Sequence, residues 1–339
     1  SRIFDFVKSK MTWNRYTGKY VEKGVKKSYK EGVGNSAEIN LILTSMLRTV
    51  GFDANPVLIS TKKNGVPAFP TIDGFDFVVS SVNLKGKGLV LLDATNPYNM
   101  INILPEHLQN WKGRIVRGDH SSEWVNIKLK KHREIENHMS INIGKELDVV
   151  GLLRTKLTGL NAVDYRSNFN FLKEEVKISK IEEDYNVIVK DYKVKNSNDI
   201  NKPIIRSIKF LGEDFIEEVE AKLYISPLFF FALNSNPFKL DDRLFPVDFG
   251  SPFKNKNTVN IKIPEGYTVV GIPESIAIGL RDGLGVYRCK FLVNRGKITI
   301  VSQLQINQAE ISPQYYKELK SFYNRIVNKQ TEKIILIKN

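Results

Sequence analysis

Cysteine is nearly absent: Cys289 is the only one in 339 residues. A lone thiol closes no intramolecular disulfide and builds no thiolate-cluster zinc site. It leaves the compartment open, because exported proteins without disulfides are common. Histidine is scarce as well, with His107, His120, His132 and His138 making up the whole set. His132 and His138 fit neither the i,i+4 spacing of a helical ligand pair nor that of a tight turn. No metal and no cofactor is expected. The run of about 18 apolar residues that a membrane-spanning helix needs is missing, and the longest greasy stretch is Leu228 to Leu233. Gly279 to Gly285 (GLRDGLG) has glycines without the strand, Gly-rich turn and helix of a nucleotide site, so it reads as a loop. The first residues, Ser1 to Asp5, lack the basic start and apolar core of a signal peptide. They read as the middle of a helix, and the chain is expected to be a piece whose upstream part carried any export signal.

Acidic residues are outnumbered, 37 against 51 Lys and Arg, for a formal charge of +14. Nucleic acid is the first partner such a charge suggests. Lysine dominates over arginine, however, and is spread along the chain, with its densest part in residues 1–30. No arginine-rich run and no recognition-helix pattern appears. The charge therefore reads as a solvated lysine surface, and no nucleic-acid partner is expected. Attraction to acidic polymers or an anionic surface is kept as an alternative.

What is present is an alternation of helix and strand signals. Ile39, Ile42, Leu43, Met46, Leu47 and Val50 recur at the spacing of one apolar helical stripe. Asn35 and Ser36 supply N-cap chemistry before it, and Gly51 supplies the stop. Strands are expected at 56–61, 75–84 and 88–93, the last two joined by the turn Lys85–Gly88, with the Gly/Pro-rich loop 62–74 before them and a short helix at 105–111. One helix on an antiparallel sheet is an α+β layout. After residue 122 alternating strands dominate, with helical stretches near 160–183. An aromatic segment at 226–238 breaks the pattern, and a second β unit begins near Pro246. Ser312-Pro313 opens a helix that runs to about Gln330, and a strand at 334–338 ends the chain. Three domains are expected: 1–122, 123–235 and 236–339.

The order of Gly34-Asn35-Ser36 at a helix start, Phe75 to Val79 on a strand and Leu91 to Thr95 on the next resembles the transglutaminase-like superfamily, which has the papain-like fold. The stretch Ser36 to Ser60 is similar to its catalytic helix and the strand that follows. The likeness covers residues 1–115. The remainder is similar to β-rich regions of unknown function that follow this domain in large exported proteins of some Gram-negative bacteria, through PVDFGSPF (246–253) and IPEGYTVVGIPE (263–274). The resemblance implies a papain/transglutaminase-like N-terminal domain, β-rich sandwich-like domains with a C-terminal helix, and a periplasmic or cell-envelope location.

In that family a thiol at the helix N-terminus loses its proton to an imidazole on one strand, and a carboxylate on the next holds the imidazole. Here Ser36 stands at the thiol position, Phe77 at the imidazole position, and only Asp93 matches. A hydroxyl without a base is a poor nucleophile, and phenylalanine accepts no proton. Asp76, next to Phe77 on the strand, points to the other face, and His107 lies in the closing segment. Cys289 reads as a packed core thiol. Natural decay explains both departures, whereas an engineered Cys→Ser change explains only the first. Trp13, Asn14, Asn35 and Asp76 are the candidates for a remaining groove. The reading is a pseudoenzyme that binds peptide or protein in the old acyl groove. The alternatives are an active acyl-transfer enzyme using Ser36, or its engineered form, and the electrostatic binder of acidic polymers.

Overall fold

The apolar stripe at Ile39, Ile42, Leu43 and Leu47 is buried along helix α3 (Ser36–Thr49), and the first third of the chain is built around it. The computed structural model describes residues 2–69, 71, 73–86, 88–129, 131–213 and 215–339. Lys87 of the expected turn and Pro70 of the expected loop, like Ser1, lie outside the described residues. The chain divides into two compact units, Ser1–Lys130 and Lys131–Asn339.

The first unit begins with α1 (Arg2–Lys10), a short strand β1 (Thr12–Trp13), α2 (Val25–Glu31) and a second short strand β2 (Val33–Gly34) that pairs with β1 in parallel. After α3, Gly51 takes a φ of 87°, a left-handed turn that ends the helix cheaply only for glycine. Five antiparallel strands follow: β3 (Ala54–Ile59), β4 (Phe77–Leu84), β5 (Gly88–Leu92), β6 (Lys112–Val116) and β7 (Ser122–Asn126), in the order β5-β4-β3-β6-β7. Alternation along the strands gives the sheet two apolar faces. Val82, Val90 and Leu92 share a core with Phe4, Val7 and Leu43 of the helices. Val57, Ile59, Phe77, Val79 and Ile115 share the other with Leu104 and Leu108. Each fully buried side chain of this size contributes about 1.5–3 kcal/mol.

The second unit carries an eight-stranded sheet of β8 (Arg133–Ile143), β9 (Val149–Leu157), β10 (Ile188–Lys195), β11 (Ile204–Gly212), β15 (Phe253–Lys262), β17 (Ile276–Leu280), β18 (Gly285–Asn294) and β19 (Lys297–Ile306). Between these come α4 (Leu160–Phe169), α5 (Glu174–Tyr185), β12 (Ile216–Val219), β13 (Lys222–Ile225), β14 (Val247–Asp248) and β16 (Tyr267–Gly271), and after them β20 (Glu310–Ile311), α6 (Tyr316–Thr331) and β21 (Ile334–Lys338). A four-stranded sheet, β12-β13-β21-β16, shares one core with the large sheet and with Leu319, Phe322 and Ile326 of α6. The architecture is α+β, with several sheets and a helix near the C-terminal end.

Two boundaries differ from the sequence reading. The division expected after residue 235 falls inside a single core, because β8 and β15 pair in parallel and join the two stretches in one sheet. Strand patterning shows which face is buried but not which strand lies alongside, and a parallel partner can be far away in sequence. The division expected after residue 122 cuts β7 from the hairpin it forms with β6. The loop read at 279–285 is in part strand β17 and the turn into β18.

Candidate functional site

The first turn of α3 needs partners for its free amides, and the sequence supplies them from two sides. Asn35 is the N-cap: its Oδ1 accepts from the Glu38 amide at 2.8 Å, and Glu38 Oε2 accepts from the Asn35 amide at 2.9 Å. This is a capping box. The loop from Tyr16 to Gly24 then lies over the helix start as a strap. Ser36 N–H donates to Tyr16 O at 3.3 Å, and Asn35 Nδ2 donates to Tyr20 O at 2.9 Å. Glu38 Oε1 accepts from the amides of Glu22, Lys23 and Gly24 at 3.1, 2.6 and 3.1 Å. Burial works to raise the Glu38 carboxyl, but the hydrogen bonds it accepts from the amides of Asn35, Lys23 and Glu22 outweigh it and hold the group below its ordinary value.

Ser36 sits beneath this strap and is fully buried. Its hydroxyl donates to Gly18 O at 3.0 Å and accepts from Gly18 N–H at 2.9 Å. Both partners are backbone atoms of one glycine, and neither is a base. A side chain at residue 18 would start 3.1 Å from Asn35 Nδ2, so glycine fits where the strap crosses the cap.

Phe77 is fully buried at the start of β4, and its ring meets Trp13 and His107 edge-on, with centroids 6.2 and 6.0 Å apart. His107 keeps an accessible edge on the short turn Glu106–Leu108. Desolvation by its surroundings lowers the imidazole, while the charges of Asp93 and Asp76 pull the other way.

Asp93 lies buried just past β5. Its Oδ1 accepts from Asn40 Nδ2 at 3.0 Å and the Thr95 amide at 3.1 Å; its Oδ2 accepts from the Thr95 hydroxyl at 2.9 Å and Asn99 Nδ2 at 2.8 Å. Burial raises its pKa against the hydrogen bonds from Asn40 and Thr95. Asn40 also donates to Val78 O and accepts from the Ala94 amide, and Thr44 bonds Ser80. Lys8 Nζ reaches Asn99 O at 2.9 Å. The carboxylate thus knits α3 to the strand ends.

The four groove candidates are largely engaged in local structure. Asn35 is buried in the cap. Asp76 accepts from both the amide and the hydroxyl of Thr61, at 2.7 and 2.6 Å. Asn14 Oδ1 accepts from the Tyr16 amide, and Trp13 Nε1 donates to Tyr16 O. Sequence reasoning missed the polar seam of Ser36, Asn40 and Thr44. The signal was available, because three polar residues four apart inside an apolar helix share one face. Among the described residues no group of three or more His, Cys, Asp or Glu side chains is arranged to hold a metal ion, and no helix is long and apolar enough to cross a membrane.

The fold and this capped helix define an α+β protein whose helix start is closed by its own chain. The family described as "Domain of Unknown Function with solved-structure structure (DUF3858)" matches residues 221–336, less than half of the chain. A crystal structure from Parabacteroides distasonis, of a protein described as a "putative protease", shares the fold with a TM-score of 0.52 at 11% identity. The alignment covers 99% of this chain and 50% of that one, so this chain spans about half the length of that protein. No curated protein matches the chain.

Proposed function

We propose that this protein is a non-catalytic relative of the transglutaminase-like enzymes that acts by binding a protein or peptide. The order of capped helix, strand and strand supports the relationship, and the P. distasonis fold is compatible with it. One observation carries the loss of catalysis: the Ser36 hydroxyl is buried and both its hydrogen bonds go to the backbone of Gly18. A nucleophile needs a base within hydrogen-bond reach and room for an acyl carbon. Here the strap occupies that room, and Phe77 contributes no proton acceptor. A peptide ligand would meet the outer side of the strap, where Tyr16 and Tyr20 are 61% and 69% exposed, rather than Ser36 itself. On the resemblance alone, we place the protein in the periplasm or cell envelope.

The purified protein is expected to show no transamidation, deamidation or peptidase turnover. Ser36→Cys is expected to give a thiol that alkylates slowly and turns nothing over. Turnover that vanishes in Ser36→Ala, or rapid alkylation of the introduced thiol, would show that a base and an open site exist.

A further inference from the structure

In the second unit, a cavity of about 550 Å³ opens on one face of the eight-stranded sheet. Its floor is a row of polar residues where apolar ones would be ordinary. Asn257, Asn137, Thr155 and Arg206 are successive cross-strand partners on β15, β8, β9 and β11, so all four point to one face. Asn137 Nδ2 donates to Asn257 Oδ1 at 2.9 Å and its Oδ1 accepts from Thr155 at 2.8 Å, which fixes the row. One wall is α4, which lines the cavity with Asn161, Asp164, Tyr165 and Asn168, spaced along a single helical face. Aromatic rings line it as well: Tyr165 and Phe169 of α4 stack at 5.2 Å with 12° between their planes, and Tyr185 and Phe230 stack at 4.3 Å with 9°. Phe229 takes a φ of 51°, a left-handed conformation rare for a bulky side chain, at the turn that leads into Phe230 and Phe231.

Two residues that line this cavity each hold a buried donor without a hydrogen-bond partner: Arg206 Nε and Asn161 Nδ2. Arg206 gives one hydrogen bond to the Tyr185 hydroxyl at 3.1 Å, and among the described residues no carboxylate pairs with it. Leaving such donors dry costs about 1–3 kcal/mol each, so native structures seldom keep them without a ligand or water to accept from them. The Nε and Nη edge of a guanidinium matches two oxygens of one carboxylate. Amide side chains both donate and accept, as ligand hydroxyls do. Aromatic rings in the lining supply apolar surface that suits the C–H side of a sugar ring, and the volume is in the range of small-molecule sites, roughly 300–1,000 Å³. We propose that this cavity binds a saccharide carrying a carboxylate, with Arg206 taking the acid group, Asn161 and Asn168 the hydroxyls, and the stacked aromatic pairs the ring.

Calorimetric titration of the whole chain tests this with three probes: a galacturonate trisaccharide, the neutral galactose trisaccharide, and an N-acetylated tripeptide with a free C-terminal carboxylate. The uronate is expected to bind and the neutral sugar to bind roughly tenfold more weakly. Arg206→Gln should weaken the uronate roughly tenfold or more, the scale of one charge-assisted hydrogen bond. Asn168→Ala alters an exposed side chain and keeps the test valid should Arg206→Gln fold poorly; it should weaken binding severalfold. Arg154→Gln, on the opposite face of β9, should change nothing. Four results would each overturn the proposal: no saturable uronate binding at about 10 mM; tighter binding of the tripeptide than of the uronate; affinity unchanged in both cavity variants; or an equal loss in Arg154→Gln, which would mean that bulk charge does the binding. This site is independent of the reading of the first unit.

Discussion

Ser36 and Gly18 are eighteen positions apart, and their mutual hydrogen bonds decide what the hydroxyl can do. From the sequence, Ser36 is visible as a helix-start residue and Phe77 as a residue without a proton to move. That the hydroxyl is enclosed is not visible, because a loop's path over a helix start leaves no periodic trace. His107 has the same character. Its position against Phe77 comes from a short turn after a long loop, which no spacing rule locates. Its imidazole is held below the ordinary value of 6.5 by desolvation. The folded state therefore binds a proton less readily than the unfolded chain between that lowered pKa and 6.5, so stability falls as pH drops through this window. Denaturant melts from pH 7.5 to 5 should show that loss, and His107→Gln should flatten that part of the profile. An unchanged profile in the variant would mean that the loss comes from elsewhere.

At the scale of elements, α3 and its strap behave as one piece joined by Glu38. The carboxylate accepts from four backbone amides, three of them in the strap. Glu38→Ala would strand those amides and is expected to destabilise the first unit by about 2–4 kcal/mol. Proteolysis between residues 16 and 24 should accelerate with it. The Glu38 pKa is lowered from 4.5, so its contribution is present above that pH and lost as pH falls through the folded value. The apolar stripe of α3 and its cap at Asn35 are readable in the sequence, since both are local. The strap that Glu38 holds is not, because its hydrogen bonds reach back 14 to 16 positions to residues that read as a plain loop. The large sheet repeats the lesson. Each strand's alternation is legible, but the polar row of Arg206, Thr155, Asn137 and Asn257 exists only once four strands align in register.

At the scale of the whole molecule, the single thiol serves as a reporter. Cys289 is 1% exposed in the core of the second unit, and burial pushes its pKa up. Native protein should resist alkylation, and labelling should follow the opening of that core, with a rate set by the population of the open form. Fast labelling without unfolding would show a breathing motion around β18. The sequence by itself determined the α+β composition, the long capped helix and most strands of both units, because each depends on residues within one turn or one strand of each other, and its single cysteine excluded a disulfide within this chain. Only the tertiary structure decided that residues on both sides of 235 share a core, that Ser36 is sealed by its own chain, and that two residues from distant segments, each with a buried unpartnered donor, line one cavity. Those outcomes rest on contacts between residues far apart in sequence, where hydrophobic pattern names the buried face and is silent about what covers it.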